Sequence, residues 1–240
     1  MQFGITSFSD NGFAAFEQFI DSEGLAQLRK SYDYLLTHGA KDPRSDDRLL
    51  GGLTRQIMGP EFSLPFFADN AALEAGFEIA REMCGWDRPI KTFSMLIYKP
   101  PGHPHETPWH QDASYAVEPV TPAGIKIGKR TLQFWVAVDD ADIKNGCMHF
   151  HPNTSDKTLA HYVSSGSTTE QSRLLAIENL AEHVTEAGIT PMPLKAGGAT
   201  VHHEGTPHFT PPNHSDRPRR AYIFNITNDR SPTQTRRESR

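Results

Sequence analysis

"GGATVHHEGTPHFTPPNHSDRPRRAYIFNI", residues 197–226, carries two strand-forming runs joined by a link that cannot be helical. ATVHH and RRAYIFNI are rich in β-branched and aromatic residues, and Pro207, Pro211 and Pro212 punctuate the stretch between them. The unit also collects His202, His203, His208 and His214 with Arg219 and Arg220. A His at the end of one strand and an Arg at the start of its neighbour can share a pocket. A guanidinium fork there suits a carboxylate held by two parallel hydrogen bonds.

Working outward, KTFSMLIYK (91–99), TLQFWVAVDD (131–140), CMHFH (147–151) and PMPLKAGGATVHH (191–203) have the same strand character. CMHFH is expected to pair with the 131–140 strand across the Asn145-Gly146 turn. The first third has helical spacing instead. Asp21 to Glu23 can open a helix carrying Leu25, Leu28, Tyr32, Leu35 and Leu36, stopped by Gly39. A second helix fits about 69–84, opened by Asp69 or Asn70 and closed by Gly85. Residues 169–187 return to a helical pattern. Helices followed by many short strands predict one domain over 1–228 that is mainly β with flanking α, a sandwich or jelly roll. Within it, 1–90 is mainly helical support and 91–228 is the core, with a helical insertion at about 160–187. The polar stretch 229–240 is expected to be a flexible tail.

A chain of 240 residues with 37% hydrophobic and 22% charged residues has the composition of an ordinary soluble protein. A formal charge of -5 with no basic patch argues against nucleic acid, and no apolar run is long enough to cross a membrane. No secretory signal is visible and the two cysteines, Cys84 and Cys147, form no disulfide framework, so a cytoplasmic home and inert, buried thiols are expected. Of 12 histidines, 11 follow residue 100, which places a metal or acid–base site in the second half.

TPWHQDASY (107–115) supplies the other half of such a site. His110 and Asp112, two apart, face the same side of an extended segment, with Gln111 facing away. Imidazole plus a carboxylate suits Fe(II), Mn(II) or Zn(II) better than Ca(II). A second His from 202–214 would complete a 2-His-1-carboxylate set with open positions, the arrangement of non-haem Fe(II) oxygenases. Other polar candidates have plainer readings. At least one of His202 and His203 is expected to be structural, one of His149 and His151 can support the site, and His103 and His105 lie in a Pro-rich loop expected to be solvated. The Pro- and Gly-containing 116–130 segment is expected to be a loop over the site.

MLIYKP (95–100), WHQD (109–112), LQFWVAVDDADIKNGCMHFHPNTS (132–155) and AGGATVHHEGTPHFTPPNHSDRPRRA (196–221) together resemble the phytanoyl-CoA dioxygenase-like family of Fe(II)/2-oxoglutarate-dependent oxygenases. The resemblance covers 91–227 well and the N-terminal helices loosely. In the last stretch the family pattern is a metal His, a small hydroxyl residue two later, an Asn five later and an Arg eleven later. His208, Thr210, Asn213 and Arg219 match it. The resemblance therefore implies a double-stranded β-helix (jelly roll, cupin-like) binding Fe(II) through His110, Asp112 and His208. It implies 2-oxoglutarate and O2 as cosubstrates, with Met95, Trp135, Thr210 and Arg219 around the former, and Arg55 or Gln56 as a loose further contact. Related halogenases lack the carboxylate that Asp112 retains. Phe209 stands where the family usually has Gly, narrowing the pocket.

The expected activity is oxidation, by default hydroxylation, of a small-molecule C–H bond with release of succinate and CO2. Desaturation, epimerisation or cyclisation on the same scaffold is the enzymatic alternative, and a non-catalytic metal- or ligand-binding jelly roll the alternative from another class. A zinc hydrolase would leave Thr210 and Arg219 without a role. The compact length favours a free small-molecule substrate, and oligomeric state leaves no trace in the sequence.

Overall fold

The computed structural model describes residues 5–50, 53–116, 124, 130–152, 157–164 and 174–229. Its strands are β1 (Phe13–Phe16), β2 (Asp46–Leu50), β3 (Thr54–Met58), β4 (Pro89–Lys99), β5 (Thr107–His110), β6 (Thr131–Ala137), β7 (Met148–Phe150), β8 (His161–Val163), β9 (Leu175–Ile177), β10 (Thr190–Met192), β11 (Ala199–His203), β12 (His208–Thr210) and β13 (Arg219–Asn228). Helices are α1 (Ile5–Asn11), α2 (Ser22–His38), α3 (Pro60–Ser63), α4 (Ala71–Cys84) and α5 (Leu180–His183).

A seven-stranded sheet in the order β1-β11-β6-β13-β4-β3-β2 faces a four-stranded sheet, β10-β7-β12-β5, and a β8-β9 pair stands beside them. Every strand pairing is antiparallel, as a jelly roll requires.

The parity of each strand divides the molecule. Leu132, Phe134 and Val136 on β6, with Tyr222, Phe224 and Ile226 on β13, face outward and pack against Leu28, Tyr32 and Leu35 of α2 and Leu73 and Ala80 of α4. The alternate residues Trp135, Ala137, Ala221 and Ile223 face inward, toward Met148 and Phe150 of β7. α4 lies so close to the sheet that a Cβ at Gly76 would fall 2.8 Å from the Phe224 ring. Both large helices carry the expected caps. Asp21 accepts from the Gly24 N–H at 2.8 Å, Asn70 accepts from Ala72 and Leu73, and Gly39 and Gly85 close the C-termini at positive φ.

Three expectations need correction. The 1–90 support contributes β1, β2 and β3 to the large sheet, because FAAF and TRQIM are short runs whose pairing is decided by partners far away in sequence. The β7 strand does not pair with β6. The segment between them crosses from one sheet to the other, with Asp142 and Asn145 exchanging hydrogen bonds and Gly146 held against the Pro211 carbonyl. The expected helical insertion at about 160–187 is, in its described part, the β8–β9 ladder, the single turn α5 and a 3-10 turn at Glu186–Gly188. Short apolar runs such as LAI fit either helix or strand until a partner strand is present. Most of the 116–130 segment and all of the tail from 230 onward lie outside the described residues. No helix among the described residues is long and apolar enough to cross a membrane.

Candidate active site

His208 and His110 are direct cross-strand partners on β12 and β5. The ladder shifts register between His208 and Thr210, where Pro108 has no N–H to give. Asp112 begins the 3-10 turn that follows β5. The three side chains offer ligand atoms that all lie within 4.8 Å of one another. Asp112 Oδ1 sits 3.6 Å from His110 Nε2 and 3.7 Å from His208 Nε2. Each imidazole gives its Nδ1–H to a backbone carbonyl, His110 to Pro108 at 2.7 Å and His208 to Thr206 at 2.9 Å. That fixes the tautomer and leaves both Nε2 lone pairs aimed at the common centre. Burial holds both imidazoles below the usual histidine range. For Asp112 burial works in the opposite sense, but His208, His202 and His110 outweigh it and keep the carboxyl well below the ordinary range. Two neutral imidazoles and one carboxylate fit a divalent transition metal. Gln111 points away, bonding the Gly205 carbonyl and the Leu159 N–H.

A cavity of about 400 Å³ opens beside this centre, and Met95, Trp135, Thr210 and Arg219 all line it. Arg219 is completely buried, over the Trp135 ring at 5.4 Å. Its Nη2 reaches the Thr210 hydroxyl at 3.5 Å, and its Nε and Nη1 have no hydrogen-bond partner among the described residues. Burial pushes the guanidinium down to about 10. Arg220, of opposite parity, leaves the cavity and pairs with Asp139 and Asp33. An unpaired, dry guanidinium costs several kcal/mol unless an anion completes it. The fork therefore fits a ligand carboxylate.

Residues that the sequence reading passed over or left open complete the site. His202 is fully buried and donates from Nε2 to Asp112 Oδ2 at 3.1 Å. Asp112 only accepts, so His202 carries its proton on Nε2, consistent with an Nδ1 that has no partner. Oδ2 is thus engaged, while Oδ1 faces the Nε2 atoms of His110 and His208. Lys99, also buried, places its ammonium 3.0 Å from Thr210 Oγ1, 3.3 Å from Thr210 O and 3.1 Å from Pro211 O. Burial, then the charge of Arg219, pushes the ammonium well below the usual lysine range. The inward parity of Met95, Ile97 and Lys99 on β4 was the available signal.

Of the two N-terminal candidates, Gln56 lines the cavity, whereas Arg55 is held by Asp47 and the Leu36 carbonyl. Phe209 lines the cavity and stacks on Trp109 at 4.5 Å, so Trp109 stands behind the wall while Tyr115 forms part of it. The His149 ring also packs on Phe209, at 4.9 Å and tilted by 52°. His103 is not solvated. It is 1% exposed, with Nε2 2.5 Å from Thr54 Oγ1, because the Pro-rich loop folds back over β3. Cys147 is buried and its thiol is pushed up to about 12, as expected of an inert cysteine.

A jelly roll with a 2-His-1-carboxylate centre beside a buried, unpaired arginine has the scaffold and ligand set of the non-haem oxygenase class. The phytanoyl-CoA dioxygenase (PhyH) family profile matches residues 8–221, and the chain belongs to that family. It is 30% identical over 145 residues to phytanoyl-CoA dioxygenase domain-containing protein 1 of Mus musculus, covering 59% of this chain and 46% of that one. To the Danio rerio protein of the same name it is 32% identical over 139 residues, 58% of this chain and 45% of the relative. The chain thus spans about half the length of the curated relatives it matches. Among solved structures it is similar to EvdO2 from Micromonospora carbonacea var. aurantiaca complexed with 2-oxoglutarate, at 26% identity and a TM-score of 0.72, covering 95% of this chain and 94% of that one.

Proposed function

We propose that this protein is an Fe(II)/2-oxoglutarate-dependent dioxygenase that hydroxylates a C–H bond of a small molecule. The observation that carries the reading is the fully buried Arg219 with two free donors in the cavity that the His110–Asp112–His208 centre also lines. Iron and 2-oxoglutarate, when bound, supply the oxidation: one oxygen atom of O2 goes to the substrate and the other to succinate, with loss of CO2.

The chain's own residues do the rest. His110, Asp112 and His208 would hold the metal, and His202 engages Asp112 Oδ2 by a hydrogen bond that orients the carboxylate. Arg219 pairs with the far carboxylate of the cosubstrate. The Thr210 hydroxyl oxygen already accepts from Lys99 and faces Arg219 Nη2, so its own proton is available to that carboxylate. Met95, Trp135 and Phe209 wall the pocket, with Trp109 stacked and His149 tilted against the Phe209 ring.

The test is anaerobic addition of Fe(II) and 2-oxoglutarate to the purified chain, followed by air. A visible charge-transfer band and then succinate are expected. A chain that binds iron yet gives neither is not an oxygenase of this kind.

A further inference from the structure

Three cavity residues, Gln56, Gln133 and Asn225, carry carboxamides that no described residue engages. Elsewhere the buried amides are saturated. Asn213 donates to Pro100 and Arg217 carbonyls and accepts from Ser215, and both ends of Asn145 are bonded. Of these three half-buried residues only Asn225 has a buried polar atom without a partner, its Oδ1, and that exception marks a ligand surface beside the accessible amides of Gln56 and Gln133.

Gln56 lies on β3 opposite Ile97, toward the arginine end of the cavity. Gln133 and Asn225 lie elsewhere. They are cross-strand partners on β6 and β13, and Gln133 is also the partner of His202. One lateral row across the sheet is thus His202–Gln133–Asn225–Phe93, at the level of Asp112. Asn225 is six residues beyond Arg219 on the same face of β13, roughly 20 Å along the strand. A five-carbon diacid is about 7 Å long. A cosubstrate held by the Arg219 side chain therefore ends at the His110–Asp112–His208 centre, with the Gln133–Asn225 row at its far end from the arginine, and the β13–β4 ladder shifts register just after Asn225. The Asn225 Oδ1 atom is buried with no partner.

Resting on the oxygenase reading above, we propose that Gln133 and Asn225 form the polar half of the substrate site and select an uncharged group that both donates and accepts hydrogen bonds, a hydroxyl or an amide. Whichever way each amide is turned, the pair offers two carbonyl oxygens and two NH2 groups. A carboxylate or phosphate has no proton to give and would leave a buried carbonyl oxygen unmatched. Among the described lining residues Arg219 is the sole cation with free donors, and it serves the cosubstrate. Phe93, Tyr115, Leu174 and Phe209 supply the apolar half.

The experiment uses the Fe(II)- and 2-oxoglutarate-loaded protein with four hexyl-chain probes: hexyl β-D-glucoside, N-hexylacetamide, hexanoate and hexyl phosphate. The readouts are the perturbation of the anaerobic charge-transfer band and the stimulation of succinate formation. The two neutral probes should act and the two anions should not. Asn225→Leu and Gln133→Leu should raise the half-saturating concentration of a neutral probe about tenfold or more, with that of 2-oxoglutarate moving less than about twofold. Asn225→Ser, which disturbs packing least, should fall between wild type and Leu. A wild type that shows the band but responds only to the anions, or to none of the four, overturns the subsite. So does a parallel rise in the 2-oxoglutarate requirement, which would assign the amides to the cosubstrate. Absence of the band and of succinate in the wild type instead overturns the oxygenase reading.

Discussion

Arg219 has no acid within reach among the described residues, while its neighbour Arg220 has two. A guanidinium kept dry at that cost fits the proposed role of pairing with a ligand carboxylate. Arg219→Ala should raise the 2-oxoglutarate half-saturation at least about 30-fold, since truncating one side of a buried charge pair costs about 2–5 kcal/mol. Steady-state succinate assays over a range of 2-oxoglutarate check this, and an unchanged requirement would remove the arginine from the site. His202 hydrogen-bonds Asp112 Oδ2, and on the proposed reading it would act on the metal through that carboxylate. Replacing it with Phe, which the adjoining Phe150 and His208 rings can accommodate, frees Oδ2 and should weaken Fe(II) binding about 10–100-fold. Competition with a chromophoric chelator measures this without turnover. Equal affinities would show that the His202 hydrogen bond does not tune the centre.

At the scale of the element, β13 shows how parity divides labour. Tyr222, Phe224 and Ile226 anchor α2 and α4, while Arg219, Ile223 and Asn225 line the cavity. A one-residue slip would put the arginine outside and the aromatics in the site. The outer layer holds that register. Asn70 caps α4 through the Ala72 and Leu73 N–H groups and also donates to Phe66 O at 3.0 Å. Asn70→Ala should cost about 1 kcal/mol, up to about 2. That corresponds to a fall in Tm of about 2–4 °C per kcal/mol for a chain of this size. Calorimetry of the metal-free protein is the measurement, and an unchanged Tm would show that the cap is dispensable. Strand β5 makes the complementary case: Pro108 breaks the ladder, accepts the His110 Nδ1–H, and so aims the ring.

Across the whole molecule the site belongs to neither sheet alone. His110 and His208 stand on the four-stranded sheet, and Met95, Trp135 and Arg219 on the seven-stranded one. Metal binding should therefore be linked to global folding. Fe(II) or Mn(II) at about 100 times its dissociation constant should add about 2.7 kcal/mol and raise Tm by roughly 5–10 °C. Chelator should reverse the shift, and Asp112→Ala should abolish it. A shift that persists in Asp112→Ala would mean the metal binds elsewhere.

The sequence by itself determined the helix limits, through Asp21, Asn70, Gly39 and Gly85, because caps and left-handed stops are local chemistry. It determined the strand character of 91–99 and 219–228, because alternation is written along the chain. Through the family resemblance it also proposed His110, Asp112, His208, Thr210 and Arg219, which the fold brings into one cavity. Only the tertiary structure decided what depends on partners far apart in sequence: that FAAF and TRQIM are strands, that β7 leaves β6 for the other sheet, and that His103 is buried. For the same reason the roles of His202 and Lys99 emerged only from the fold, although His202 stood among the candidate histidines and Lys99 shares the inward parity of Met95 and Ile97. Neither carries a spacing signature, and each acquires its role by meeting Asp112 or Thr210 across a sheet. The Gln133–Asn225 pair is the furthest case. Two ordinary amides, 92 positions apart by subtraction of their residue numbers, become neighbours because antiparallel pairing of β6 and β13 places them in one row.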